Sequence, residues 1–369
     1  MNEAQAKHTV TTKVASRAYR LIKPRDVQPI QIEHEVHDWE VVVEPTIGSI
    51  CHADLRYFTG QRRAEALERK LPMALIHEGI GTVLHSATPE LPQGQRVVIV
   101  PNLQGYLLNG TNPETCCETC RSTKSNNYCT HGRFLGSGMD GIAQSRLVVP
   151  AASALPIPPE VPDDIAVLTE LSSVSYQALH HVAEALKTAK VVVFGDGPVG
   201  YLAAAMLHHV YGVDKERLTV FGAVPEKLAM FDFAKRELVQ NYDFSGGASF
   251  DIALECTGGK FSESAINQAI DVLQPGGHLI LMGVTEERVP INTRDVLEKG
   301  ITMRGSSRSS AEDFIAVLNA MKDRKCQETL RKLLPEHNRV IRSDEDFTEA
   351  MEYAAQHRTW TKVMLDFRW

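Results

Sequence analysis

Residues 190–194 form an apolar run of strand length that leads straight into Gly195-Asp196-Gly197-Pro198-Val199-Gly200, and an apolar stretch of helical length, 198–210, follows. A strand, a G-x-G-x-x-G turn and a helix in that order leave a chain few folds to choose from. The first glycine (Gly195) permits the tight turn, and the second (Gly197) lets backbone approach a pyrophosphate. The third (Gly200) allows close helix–strand packing, and Pro198 and Val199 open a helix whose N-terminus faces the phosphates. Strand-like 217–221, 250–255 and 277–284 then alternate with helix-like 226–236 and 262–273, the pattern of a parallel sheet covered by helices. At the end of the second strand, where an acidic residue would hold a ribose 2′-hydroxyl, the chain reads Phe221-Gly222-Ala223-Val224, with no carboxylate until Glu226. That composition favours NADP(H), with Lys227 in reach of a 2′-phosphate.

Ahead of this half the texture differs. Short β-type runs at 39–44, 81–84, 96–100 and 146–149 are separated by turn residues, as in a compact, mainly β domain. Two helical stretches, 311–322 and 344–356, and a strand-like 362–367 close the chain. At 369 residues two domains are expected. The reading assigns 1–172 to the β domain, 173–306 to the dinucleotide domain and 307–369 to a segment returning to the first. A net charge of −7 offers no basic face to nucleic acid. The polar start, 1–14, lacks the apolar core of a secretory signal, and no run is long enough to cross a bilayer, so a cytoplasmic protein without a membrane partner is expected.

The first part also carries metal chemistry. Cys51-His52-Ala53-Asp54 is followed by His77-Glu78-Gly79, which sets a thiolate, an imidazole and a carboxylate where a catalytic zinc could collect three ligands and keep one position open. Glu78 or a later carboxylate completes the set. Glu170 stands between apolar segments, and if buried it needs a partner such as zinc; a surface glutamate starting a helix is the alternative. Four of the seven cysteines, Cys116, Cys117, Cys120 and Cys129, crowd together with Glu114 nearby, which suits a closed structural zinc. Cys117, Cys120 and Cys129 are the firmest ligands, and the fourth is Cys116 or Glu114, since adjacent Cys116 and Cys117 would strain to share one ion.

Taken together these motifs resemble the zinc-dependent medium-chain alcohol and polyol dehydrogenases over essentially the whole chain. The resemblance implies an α/β architecture with a Rossmann domain inserted in a GroES-like, mainly β catalytic domain, the structural zinc lobe falling at about 112–131. It places catalytic ligands on Cys51 and His77, with Glu170 or Glu78 third, and Asp54 behind the histidine as its orienting acid. Stretches such as Arg56-Tyr57, Lys70-Leu71-Pro72-Met73, Ser264-Ala265-Ile266-Asn267-Gln268 and Gly305-Ser306-Ser307-Arg308-Ser309 look most like the ribulose-5-phosphate reductases, also called ribitol-5-phosphate 2-dehydrogenases. That branch implies NADPH as reductant.

The expected reaction is hydride transfer to C2 of a ketose phosphate, zinc polarising the carbonyl. Many alcohol dehydrogenases relay the proton through a Ser or Thr two residues after the cysteine ligand; here that residue is Ala53, so His52 or a water on Glu170 must substitute. Arg56, Arg62 and Lys70 are the candidate phosphate ligands, although Arg62, Arg63, Arg69 and Lys70 could equally form a solvated face. Arg308 is a candidate for the cofactor pyrophosphate. A dehydrogenase of an unphosphorylated polyol, cyclitol or secondary-metabolite alcohol is the competing reading, and a non-enzymatic nucleotide-binding protein a third. A homodimer through edge strands near 277–284 is the expected assembly.

Overall fold

The computed structural model describes residues 10–122, 126–247, 249–357 and 360–369. The chain divides into two compact units: 1–170 with 310–318 and 334–369, and 171–309 with 319–333.

The first unit is built mainly on antiparallel strands, with Arg339–Ile341 and Met364–Phe367 paired in parallel. Val10–Lys23 and Asp26–His37 make a long hairpin, turned at Arg25, whose positive φ of 63° the two-residue connection requires. A larger sheet runs Ala154–Pro156, Arg96–Ile99, Glu78–Ser86, Glu40–Ser49, Met364–Phe367 and Arg339–Ile341, with Leu147–Pro150 also pairing Glu40–Ser49. Its core gathers Tyr19, Leu21, Val43, Phe58, Ile76, Val83 and Leu365. The chain's last residues thus complete a sheet begun near residue 40, and the helix Asp344–Gln356 adds Phe347, Ala350 and Met351 to the same core. Ser343 starts that helix: its Oγ accepts from Asp346 N at 3.2 Å, and Asp346 Oδ2 accepts in return from Ser343 N at 3.2 Å.

The second unit is a six-stranded sheet, parallel throughout. Its order is Lys235–Leu238, Leu218–Gly222, Val191–Phe194, Phe250–Glu255, Leu273–Leu281, Thr302–Gly305. Numbered along the chain this is 3-2-1-4-5-6, the doubly wound order, and the strand direction of travel switches between Val191–Phe194 and Phe250–Glu255. A ligand crevice lies outside the carboxyl ends of those two strands in such sheets.

Three sequence expectations change here. The helix read over 226–236 is a single turn, Pro225–Leu228, followed by the strand Lys235–Leu238. Phe231 and Phe233 turn edge-on to the Tyr201 ring at 4.9 and 5.6 Å, and strand pairing takes the residues beyond. The final segment does not return whole to the first unit. Helix Arg324–Arg331, which the sequence reading missed, packs in the second: Tyr201 Oη donates to Thr329 O at 2.9 Å and Lys332 pairs with Asp232 at 2.7 Å. This explains why Pro198–His209 is buried from Gly200 to Leu207 on all sides. Finally, Leu273–Leu281 is paired on both flanks, so it offers no edge to a second copy; the sheet's edges are Lys235–Leu238 and Thr302–Gly305.

Burial, rather than capping, holds the terminal helix in place. Phe347→Ala should lower stability by about 3–5 kcal/mol, against about 1 kcal/mol for Ser343→Ala, in paired denaturation curves.

Candidate metal and cofactor sites

Cys51 leaves the strand Glu40–Ser49 and stands at the N-cap of the helix His52–Phe58. Asp54, one turn into that helix and fully buried, accepts from Cys51 N at 2.9 Å through Oδ2. Its Oδ1 accepts from Ile76 N at 3.1 Å and lies 3.3 Å from His77 Nδ1. Ile76 has φ of 70°, a costly conformation for a β-branched residue, and its carbonyl is held by Ile142 N at 2.7 Å. The bend delivers His77 to Cys51, and candidate ligand atoms of Cys51, His77 and Glu78 all lie within 4.8 Å of one another. The Phe134 ring closes on His77 edge-on at 5.3 Å.

The electrostatics of this group suit a cation. Burial, then the charge of Glu78, pushes the Cys51 thiol up. Burial likewise raises Glu170 to about 7, with the charges of Glu78 and Asp54 adding to it. Burial opposes a charged His77, yet the negative charges of Asp54 and Cys51 outweigh it and hold the imidazole well above its usual value. A dication reverses each of these protonations at once, which is the behaviour of a metal site. Lys362 supplies part of the missing positive charge: it is 7 % exposed, its Nζ is 2.8 Å from Glu78 Oε2, and it donates to Ile50 O at 3.1 Å. His52 is exposed, and Ala53 beside it carries no hydroxyl.

The cysteine lobe brings Cys116, Cys117, Cys120 and Cys129 together, all as free thiols, and leaves Glu114 exposed outside the group. Residues 123–125 of the lobe lie outside the described residues. The Sγ separations, 3.6 Å for Cys116–Cys129, 3.6 Å for Cys117–Cys120 and 3.8 Å for Cys117–Cys129, match the edge of about 3.8 Å that a tetrahedron with Zn–S of about 2.3 Å requires. The strain expected of adjacent Cys116 and Cys117 does not arise. The 3₁₀ turn Pro113–Thr115 ends at Cys116, and extended backbone at Cys117 turns both sulfurs to one point before the helix Glu118–Arg121. The Cys120 amide lowers the Cys117 thiol to about 5, whereas burial raises Cys120 and Cys129.

Two of the three cations proposed for phosphate converge on Tyr57. Lys70 Nζ donates to Tyr57 Oη and to Ser137 Oγ, each at 2.9 Å, and those two hydroxyls lie 3.0 Å apart. The Arg62 guanidinium sits over the Tyr57 ring at 4.7 Å. Burial raises the phenol, but bonds from Lys70 and Ser137 and the Lys70 and Arg62 charges outweigh it and bring Tyr57 below its ordinary value. Lys70 is therefore no member of a solvated face. Ser137 ends the turn that begins at Phe134, Ser137 N donating to Phe134 O at 3.0 Å, so one short turn touches both His77 and this cationic cluster. Arg56 is half-buried on the same helix as Tyr57.

In the second unit the glycine loop forms a cradle. Gly195 has φ of 130°, and a Cβ on Gly200 would meet Gly195 O at 2.0 Å. Gly197 caps the helix Pro198–His209 and faces open space, with no atom within 4 Å of where a Cβ would stand. These residues fit a dinucleotide pyrophosphate. Lys227 is half-buried on the single-turn helix, and Arg308 has φ of 63° beyond the last strand. Glu255, fully buried, accepts from the amides of Thr257 and Gly258 and the hydroxyls of Thr257 and Ser262 through Oε1, and from Gly283 N through Oε2. Asp196 Oδ2 accepts from Ala223 N at 2.7 Å and Val224 N at 2.8 Å. The strand end that reads as lacking an acid thus receives one through space.

Lys362, Tyr57, Ser137, Glu255 and Asp196 were not singled out from sequence for these roles. Only Asp196 and Tyr57 lie inside motifs; Lys362 and Ser137 gain their partners from segments far along the chain, and Glu255 gathers most of its own from the loop that follows it.

Two family profiles match: the alcohol dehydrogenase GroES-like domain over residues 37–159 and the zinc-binding dehydrogenase over 198–323. The chain is 35% identical to ribulose-5-phosphate reductase 1 of Staphylococcus aureus over 95% of its length and 98% of the relative's. It is 36% identical to ribulose-5-phosphate reductase of Bacillus spizizenii over 95% of its length and 99% of the relative's. Among solved structures, S. aureus TarJ in complex with NADPH matches with a TM-score of 0.80 at 32% identity, covering 96% of this chain and all of that one.

The buried Lys362–Glu78 pair yields a direct test. In metal-stripped protein Lys362→Met should cost about 3–5 kcal/mol by leaving Glu78 uncompensated, and adding Glu78→Gln should recover most of it in a double-variant denaturation cycle.

Proposed function

The chain belongs to the zinc-binding alcohol dehydrogenase family, and within it we propose that it transfers a hydride from NADPH to C2 of D-ribulose 5-phosphate, giving D-ribitol 5-phosphate. The observation that carries this reading is the joining of the Lys70–Tyr57–Ser137 cluster to His77 through the turn Phe134–Ser137. A cluster of cation and hydroxyls one turn away from the metal-ligating residues suits a short sugar phosphate whose carbonyl sits at the metal. Relatives named for this reduction, and a neighbour solved with NADPH, support the same choice.

Cys51, His77 and Glu78, whose ligand atoms converge, are the core of the donor set for the catalytic zinc; buried Glu170, outside that converged group, is the carboxylate that completes the set because Glu78 is shared with Lys362. Zinc supplies the Lewis acidity that polarises the C2 carbonyl and steadies negative charge on its oxygen. Asp54 fixes the His77 ring, and Phe134 shields it from water. Arg62, Lys70 and Arg56 bind the phosphate. Reduction at C2 would leave the product oxygen needing one proton, which exposed His52 would pass from solvent in place of the hydroxyl that Ala53 lacks. Gly195, Gly197, Pro198, Val199 and Gly200 hold the pyrophosphate, with Arg308 beside it, and Gly222 and Lys227 lie at the adenosine end. Cys116, Cys117, Cys120 and Cys129 hold a second, structural zinc. No helix among the described residues is long and apolar enough to cross a membrane. The reading carries a cytoplasmic homodimer, which light scattering on the purified protein checks.

NADPH oxidation should proceed with D-ribulose 5-phosphate and be at least tenfold weaker in kcat/KM with D-ribulose. Arg62→Ala and Lys70→Met should raise KM for the phosphate tenfold or more and leave D-ribulose turnover nearly unchanged. Equal turnover of both sugars would overturn the phosphate assignment.

Metal retention supplies the pH test. Cys51 and His77 both have raised values and both must release a proton to bind, so zinc affinity should fall about tenfold or more per unit as pH drops from 8 to 6. Competition with a chromogenic chelator reads this directly, and a flat profile would exclude this donor set.

A further inference from the structure

The second strand ends at Gly222, where a side chain would ordinarily face the adenosine ribose. A Cβ there would stand 2.7 Å from Asp196 Cβ, 2.8 Å from Asp196 Oδ2 and 2.8 Å from Leu228 Cδ2. Glycine is therefore the residue that lets Asp196 occupy this place. The carboxylate is docked rather than merely near: Oδ2 takes both the Ala223 and Val224 amides, at 2.7 and 2.8 Å. Gln240 Nε2, donating to Ala223 O at 3.3 Å, fixes the same peptide from the other side. Those two amides and that spot are what a ribose 2′-substituent would use.

We propose that Asp196 sets the choice between NADH and NADPH, its carboxylate standing at the ribose 2′ position as the acid that the strand itself lacks. This rests on the dinucleotide reading above and deepens it. With Oδ2 committed to the amides, Oδ1 is left to accept a hydrogen bond from a 2′-hydroxyl, so NADH gains a partner. A 2′-phosphate brings up to two negative charges against the carboxylate and competes with it for the Ala223 and Val224 amides. NADPH binds by displacing Asp196, with Lys227 the neighbouring cation available to the phosphate. Selectivity in this chain is then a balance between Lys227 and Asp196, and the carboxylate is the term that opposes NADPH.

The test is fluorescence titration of the zinc-replete protein with NADPH and, separately, NADH, with no sugar present. Asp196→Asn keeps an oxygen for the two amides and removes only the charge; Asp196→Ser also vacates the amides. In both variants the Kd for NADPH should fall about tenfold or more while that for NADH rises severalfold. An unchanged ratio, a parallel weakening of both cofactors, or a shift towards NADH would overturn the proposal and make Asp196 a loop-building residue. Wild-type protein that bound neither cofactor would instead overturn the dinucleotide reading. Failure of the ribulose 5-phosphate assignment alone would leave these titrations intact.

Discussion

One buried carboxylate organises the catalytic half of this protein. Asp54 accepts from Cys51 N, accepts from Ile76 N and lies against His77 Nδ1, so residues 26 positions apart share a single anchor. Two consequences follow. The left-handed bend at Ile76 is tolerated because its amide and carbonyl are both held, by Asp54 and by Ile142. And the imidazole is aimed before any metal arrives, which lowers the ordering cost of binding one. Without Asp54 the cysteine and histidine would still flank the paired strand ends Ser49 and Glu78, but nothing would hold their ligand atoms in register.

The two candidate metal groups differ in a way their surroundings explain. Four sulfurs at tetrahedral spacing leave no coordination position free and sit on a lobe of short helical turns, which fits a metal that holds structure. The other group mixes sulfur, nitrogen and carboxylate, and a buried ammonium already balances one of its anions. Lys362 matters because the group gathers Glu78, Glu170 and Asp54, three carboxyl groups, in one largely water-free place. A dication alone would have to balance those and a thiolate; with Lys362 behind Glu78, a metal held there would face a smaller net negative charge and keep more of its Lewis acidity.

Much of this was legible in the sequence, and the parts that were not have physical causes. The glycine loop, the strand before it, the helix after it and the metal-binding residue types are local signals, written in consecutive residues. The helical stretch 344–356 matches the helix Asp344–Gln356, whose capping Ser343 and acidic first turn are themselves local features of the chain. By contrast, 226–236 has helical periodicity, yet Phe231 and Phe233 are drawn to Tyr201 and the strand Lys235–Leu238 takes over. Helix Arg324–Arg331 was missed because six of its eight residues are not hydrophobic, and it is held by Cys326, Gln327 and Leu330 packed in the second unit. Lys362 reads as one more strand-flanking cation until the fold places it against Glu78, 284 residues earlier. The choice of Cys116 over Glu114 depended on backbone angles at two adjacent residues, which spacing alone does not encode.

Two carboxylates in the dinucleotide unit show how one residue type can serve rigidity and selectivity on a single sheet. Glu255 lies at the carboxyl end of a central strand, fully buried, and satisfies five donors from three separate segments. Removing it would leave those donors unpaired in a dry place, so it has no freedom to respond to a ligand. Asp196 lies one strand over, partly exposed, with only two donors and water within reach to replace it. Its departure costs little, because the amides it leaves can be taken up by solvent or by a phosphate. The loops that face the crevice between Val191–Phe194 and Phe250–Glu255 are thus pinned by the first carboxylate and tuned by the second. A change of cofactor preference can proceed at Asp196 without disturbing the framework that Glu255 maintains.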